Sequence, residues 1–331
     1  MTEFPANRTV LAVDIGGTKI AAAGVTGSGQ IVARRREATP VTGPTDLIAR
    51  LTAMLADLRL EAGSPVAVGI GIPAMLEPNS DRVLWAPNIP GCRDVLLREP
   101  LEQALGVPVF LEYDGHTAVL GEWWQGAGRG YQNVVFSIIG TGIGGGMIVN
   151  GTLYRGRNRL AGAAGWFTLS TTLDDIDEAR TCGQWELLAA GPGVVRRAQL
   201  GIAAGRETEL TGDLLTAEAV FAAARRGDAF AKEIVAETVR LIGIGVSNIV
   251  SLMNPDIVIL GGGVGAQADL ILEPVRRIVR TWAQPVSGNS VQIECSRLGD
   301  DAGLLGAAYG AFERVRDSKG GEPAKADTIK R

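Results

Sequence analysis

Two glycine-rich turns constrain this chain more than any other feature. Asp14-Ile-Gly-Gly-Thr-Lys19 and Gly140-Thr-Gly-Ile-Gly-Gly-Gly146 each follow a short apolar run, residues 9–13 and 134–139, that reads as a buried strand. Glycine lets a backbone approach an anion closely and take up positive φ, so that successive N–H groups can converge on phosphate oxygens. Thr18, Lys19 and Thr141 add side-chain donors at the same turns. The two turns look like halves of one phosphate clamp.

Around them, strands and helices alternate as in an α/β protein. Residues 19–25 and 31–36 read as strands that extend the first into an antiparallel meander. Leu47, Ile48, Leu51, Met54, Leu55 and Leu58 have helical spacing over residues 46–60. A strand over 65–72, a helix over 95–105 and a strand over 108–112 follow, and the last delivers Asp114 at its carboxyl end, where ligands sit in open α/β sheets. The second half repeats the scheme less obviously. It has strands at 134–139 and 144–149, a tight Asn150-Gly151 turn before residues 152–154, helices over 186–200, 216–226 and 228–254, a strand at 257–260 and a third glycine turn at 261–265. The repeated plan suggests an old duplication.

Composition narrows the class. A length of 331 residues suits about two domains. A net charge of −4 supplies no general basic field for nucleic acid. No apolar run approaches the roughly 18 residues that span a bilayer, and the start lacks a signal pattern, so no membrane partner and a cytoplasmic location are expected. Cys92, Cys182 and Cys295 with a single histidine, His116, are too few for a disulfide framework or a structural zinc. His116 reads as a packing residue. The polar tail, residues 317–331, reads as disordered.

Taken together, the motifs resemble one family, the ROK sugar kinases and their relatives in the hexokinase, Hsp70 and actin superfamily. The resemblance rests on Asp14-Ile-Gly-Gly-Thr-Lys19, Gly69-Ile-Gly-Ile-Pro73, Ala86-Pro-Asn-Ile-Pro-Gly91, Asp114 with Leu120-Gly-Glu-Trp-Trp124 and Gly126-Ala-Gly-Arg-Gly130, the second glycine turn, Asn254-Pro-Asp256 with Leu260-Gly-Gly-Gly263, and Leu298-Gly-Asp-Asp-Ala-Gly-Leu-Leu-Gly306. It runs from Val10 to about Phe312. It implies an α/β fold of two actin-like (ribonuclease H-like) lobes with an interlobe cleft, a small lobe from residues 1–117 plus 303–316 and a large one from 118–302. It also implies transfer of the γ-phosphate of ATP to a sugar hydroxyl, usually the 6-hydroxyl, with Mg2+ as cofactor. Such a transfer needs charge neutralisation and an in-line nucleophile.

Carried residue by residue, the resemblance makes Asp114 the general base, though Asp114 also suits a helix N-cap and the two roles can coexist. It places Asp14 near the phosphates and, indirectly, the magnesium. Gly16, Gly17, Thr18, Lys19, Gly140, Thr141 and Gly142 would hold phosphates, and Gly262 and Gly263 the adenine and ribose. Gly71, Asn88, Tyr113, Trp166 and Glu186 would line the sugar. Relatives are commonly homodimers or homotetramers.

The acceptor pocket is where the chain departs from the pattern. Relatives carry a Glu-x-Gly-His segment whose Glu and His hold sugar hydroxyls, the His also ligating zinc with three cysteines. Here it reads Ala163-Ala-Gly-Trp166, and the cysteine cluster is reduced to Cys182-Gly-Gln-Trp-Glu186. One thiolate cannot hold a structural zinc, so none is expected. Glu186 reads either as a surviving sugar ligand or as a first-turn helix glutamate favoured by the macrodipole.

Tyr113, where relatives have asparagine, and Trp166 shift the chemistry from hydroxyl ligation toward stacking on a C–H face. That favours a modified, amino, deoxy or larger sugar, or a cyclitol, unless Trp166 only fills the volume left by zinc. A repressor of the family would need a winged-helix domain ahead of Thr9, where no room is expected. A sugar sensor without turnover would not need the Asp14 and Asp114 retained here.

Overall fold

Alternation puts Leu11, Val13 and Ile15 on one face of the first strand and Val10 and Ala12 on the other, and both faces are buried. The computed structural model describes residues 4–78, 80–169, 176–212 and 215–319. The meander is present as β1 (Thr9–Ile15), β2 (Lys19–Thr26) and β3 (Ile31–Ala38). Helix α1 (Pro44–Ala62) opens with proline in its first turn, where no N–H is needed, and stops at Gly63 with φ 81°.

β4 (Val68–Ile72) is followed by a small sheet of β5 (Met75–Leu76), β6 (Arg82–Trp85) and β7 (Val95–Leu96). The helix expected over 95–105 is shorter: Val95 and Leu96 pair with β6, and α2 (Arg98–Leu105) starts after them. β8 (Val109–Tyr113) runs directly into α3 (Asp114–Gln125). The sheet order is β3-β2-β1-β4-β8, with β1, β4 and β8 parallel. One face buries Leu11, Val13, Ile15, Val68, Ile70, Val109 and Leu111 against Leu47, Leu51, Met54, Leu55 and Leu58 of α1.

The second half repeats the plan with β9 (Val134–Ile139), β10 (Ile143–Val149) and β11 (Thr152–Leu153). Helices α4 (Ile176–Cys182), α5 (Gln184–Ala189), α6 (Gly191–Ala203), α7 (Ala217–Arg226) and α8 (Ala229–Met253) come next. The single helix expected over 186–200 is two: Pro192, which has no N–H to donate, stands in the first turn of α6, where none is needed. The starts of α7 and α8 follow the cap chemistry: Thr216 accepts the Ala219 N–H at 3.1 Å and Asp228 the Ala231 N–H at 2.7 Å. β12 (Ile257–Gly261), the short α9 (Gly262–Gly265), α10 (Ala268–Trp282), α11 (Pro285–Ser290), β13 (Gln292–Cys295) and α12 (Ala302–Lys319) complete the chain.

The second sheet has the order β11-β10-β9-β12-β13, again two antiparallel pairings followed by two parallel ones. The topology of the two halves is the same, which the residues alone suggest only faintly. Each sheet carries its own hydrophobic core, the second centred on Trp185, Phe221 and the apolar face of α8.

The described chain divides into two compact units, one from residues up to 124 with 157–159 and those after 300, the other from 125–156 and 160–300. Helix α8 is long and apolar enough to cross a membrane by length and composition, contrary to the expectation that no such run exists; most of it is buried within its unit. Of the expected tail, residues 317–319 continue α12 and 320–331 lie outside the described residues.

Candidate active site

In the first unit, the parallel register sets Asp14 beside Gly71 and Gly71 beside Glu112, so the carboxyl ends of β1, β4 and β8 deliver Asp14, Gly71, Tyr113 and Asp114 to one edge. Asp114 is the first residue of α3. Its Oδ1 accepts the Gly115 N–H at 2.7 Å, and its carbonyl accepts the Thr117 hydroxyl at 2.8 Å. Withdrawal from water and then the nearby Asp14 charge push the Asp114 carboxyl up to about 7, against the pull of the Gly115 N–H. A carboxyl so poised can take a proton at neutral pH. A Cβ on Gly303 would lie 2.8 Å from Asp14 Cγ, so only glycine lets the start of the 18-residue α12 abut this carboxylate. A helix N-terminus favours negative charge there.

The first glycine turn is a tight hairpin. Gly16 N–H donates to the Lys19 carbonyl at 2.8 Å, and the Thr39 hydroxyl donates to the Gly16 carbonyl at 2.7 Å. Gly17, Thr18 and Lys19 form its exposed tip. Asn88 packs on this tip, since a Cβ on Gly17 would meet Asn88 Cβ at 3.0 Å. Gly71 admits the Thr117 hydroxyl within 2.6 Å of where a Cβ would stand, so its visible role is the close packing of β4 on α3.

In the second unit, Gly140 N–H donates to the Gly142 carbonyl at 2.9 Å, and the Gly191 N–H donates to the Gly140 carbonyl at 2.7 Å. The start of α6 therefore borders the second turn, a favourable place for an anion. Gly140 faces Gly262 and Gly263 closely, with a notional Cβ 3.8 Å from the Gly263 nitrogen. Thr141 is exposed beside them. Only Gly262 of the candidate phosphate and nucleotide glycines has positive φ, 78°. Of the two freedoms glycine offers, close approach and positive φ, these turns therefore use mainly the first.

Glu186 lies against the second turn. Its Oε2 accepts the Ile143 N–H at 2.6 Å and would stand 2.7 Å from a Cβ on Gly142. Burial raises its pKa, and the Ile143 N–H opposes the rise. One of its oxygens braces the turn. Trp166 ends a 3-10 turn and is 54% exposed. Next to it, Phe167 stacks on the fully buried Trp185 with centroids 5.8 Å apart, and Gln184 accepts the Leu169 N–H at 2.6 Å. Aromatic stacking thus ties this segment to α5, so Trp166 is not the residue filling space there. Among the described residues, no group of three or more His, Cys, Asp or Glu is placed to hold a metal ion.

Sequence reasoning passed over a buried charged cluster behind Tyr113 and Asp114. Glu112 and His116 are fully buried, and His116 Nδ1 lies 3.2 Å from Glu112 Oε1. Arg159 Nη2 lies 3.2 Å from the same oxygen and donates to the Leu111 carbonyl at 3.0 Å, while Nη1 pairs with Asp81. Arg159 is 47 residues from its nearest acidic partner in sequence (159 − 112), so no local pattern announces it. The lone histidine beside Asp114 was the available signal.

A sequence profile of the ROK family matches residues 10–313. The glucokinase of Halalkalibacterium halodurans is 32% identical over 313 residues, covering 92% of this chain and 94% of its own. The N-acetylmannosamine kinase of Yersinia pseudotuberculosis is 32% identical over 301 residues, 91% of this chain and 97% of its own. The crystal structure of a ROK family glucokinase from Streptomyces griseus in complex with glucose and AMPPNP matches with a TM-score of 0.77 at 33% identity, over 92% of this chain and 99% of that one. With both glycine turns, the paired aspartates and the doubled actin-like sheet in place, the chain belongs to the ROK family.

Proposed function

We infer that this ATP-dependent sugar kinase phosphorylates the 6-hydroxyl of a hexose or hexose derivative, with Asp114 as its general base. The observation that carries the reading is the Asp114 carboxyl, held near a pKa of 7 at the end of β8 with Asp14 close enough to raise it. As the hydroxyl oxygen attacks the γ-phosphorus, the bond from phosphorus to the β–γ bridging oxygen breaks and ADP leaves, while the hydroxyl proton passes to Asp114. Glycine-turn N–H groups other than those of Gly16 and Gly140, which are bonded within their turns, would hold phosphate oxygens. The two carboxylates fit a hard, oxygen-seeking cation, which commonly takes one or two carboxylates plus substrate phosphates. Asp14 would hold Mg2+ through water, and the ion would neutralise phosphate charge.

Acceptor choice rests on Tyr113, Asn88, Ala163 and Trp166. The exposed indole of Trp166 offers a stacking surface for the C–H face of a ring, and Ala163 offers no hydroxyl ligand. This favours an amino, deoxy or otherwise modified sugar, or a cyclitol, over plain glucose. The exposed Leu252, Trp282 and Val286 on the second unit support a homodimer or homotetramer, and use of ATP makes the cytoplasm the compartment.

A coupled ADP-release screen over aldoses, amino sugars, deoxy sugars and cyclitols tests the reading. Sugar-dependent ADP release led by a modified acceptor is expected. Glucose turned over as fast as by the Halalkalibacterium halodurans glucokinase in the same assay would overturn the acceptor reading. Sugar binding without ADP release from any acceptor would instead make the protein a sensor.

A further inference from the structure

We propose that Arg159 is a positioning residue for the acceptor-activating end of β8, acting through Glu112 on Tyr113 and Asp114. Residues Arg157–Arg159 group with the first unit although the chain on either side belongs to the second. Arg159 takes up φ 56°, the left-handed region that a branched or long side chain rarely adopts, and is only 8% exposed. Its other partner, Asp81, has φ 53° and also pairs with Arg98 at 2.8 Å. Strained backbone and a buried ion pair are both costly to stability, and their coincidence at one residue points to a use other than holding the fold together.

That use follows from the bonds Glu112 makes. Its Oε1 lies 3.2 Å from Arg159 Nη2 and 3.2 Å from His116 Nδ1, and it accepts the Tyr113 N–H at 3.1 Å. The peptide so held is the last of β8, immediately before Asp114. The Tyr113 ring meets His116 edge-on at 5.2 Å and 86°, so the same cluster sets the ring's orientation. The planar guanidinium is itself fixed at three points, with Nη1 on Asp81 and Nη2 on both the Leu111 carbonyl and Glu112 Oε1, so it restrains the Glu112 carboxylate and, through it, the junction that carries the base.

The proposal rests on Asp114 being the base, so the experiment runs Asp114→Asn beside the Arg159 variants. Arg159→Met keeps the bulk of the side chain and removes its charge; Arg159→Lys keeps the charge and loses the fork. In sugar-dependent ADP release, Arg159→Met should lower kcat about 100-fold, as expected for a misplacement of about 1 Å, with KM for ATP within about twofold of the parent. Arg159→Lys should recover at least about tenfold of that loss. If Arg159→Met does not fold, Asp81→Asn, at a partly exposed partner, should show the same split at about 5–10-fold.

Parental kcat in the folded Arg159→Met protein, or losses of kcat and ATP affinity that track the folded fraction, overturns the proposal. Where Arg159→Met is unfolded, parental kcat in Asp81→Asn does the same. Activity retained by Asp114→Asn would sink the base itself, whatever Arg159 does.

Discussion

Asp114 carries opposite demands at the residue scale. Its proton is held more tightly in the folded chain, with a pKa of about 7, than at the ordinary carboxylate value of 3.8. Stability contributed by that proton is therefore fully present below about pH 4 and lost as pH rises through 7, at about 1.4 kcal/mol per pKa unit. Asp114→Asn has nothing to titrate, and its amide oxygen can still accept the Gly115 N–H. Thermal melts should show it gaining on the parent between pH 5 and pH 8, while turnover falls about 10²–10⁴-fold. If Asp114 takes the acceptor's proton as proposed, kcat/KM of the parent should decline as pH drops below about 7, because its carboxyl is then protonated. A melting advantage that shrinks with rising pH would contradict the assignment. Asp114, Asn88 and the turn glycines are legible in sequence because each sits in a contiguous motif. Arg159 is not, because its meaning lies in Asp81 and Glu112, brought to it only by the fold.

At the scale of elements, the last helix decides how the first unit is packed. α12 buries Leu304, Leu305, Ala307, Ala308, Tyr309, Ala311 and Phe312, and two glycines set its approach. A Cβ on Gly306 would fall 1.5 Å from the Thr117 carbonyl oxygen at the start of α3, and one on Gly303 would press on Asp14. In an ordinary helix, replacing glycine by alanine stabilises by about 1 kcal/mol. Here Gly306→Ala should destabilise, by about 3 kcal/mol, because backbone atoms must separate, and urea denaturation of the two proteins side by side reads the sign. The motif around Gly303 and Gly306 is visible in the sequence, yet its partner α3 lies nearly 190 residues earlier (303 − 114 = 189). Elements with local signals, such as the Thr216 and Asp228 caps, emerged within a residue or two of their expected ends. The break between α5 and α6 was missed although Pro192 marks it, because the apolar periodicity runs across it.

At the scale of the molecule, two sheets of one topology each carry their own core. Such a chain should unfold in more than one step. Calorimetry without ligand should resolve two transitions, and a non-hydrolysable ATP analogue at about 100 times its Kd should add about 2.7 kcal/mol to the unit that binds it. A single transition whose calorimetric and van't Hoff enthalpies agree would show the units to be one cooperative body. The doubling was faint in the sequence because the second meander ends in the two-residue β11 and its glycines differ in spacing. Phe4, at the start of the described chain, stacks on Phe312 at 4.8 Å, so the first unit closes on a helix made after the whole of the second unit. During synthesis, β1, β4 and β8 must wait for it while residues 125–300 are added, roughly 9–35 s at about 5–20 residues per second. The second unit, encoded later, can be finished first. For that interval the nascent first unit carries, bare, the apolar face of Val10 and Ala12 that α12 will cover.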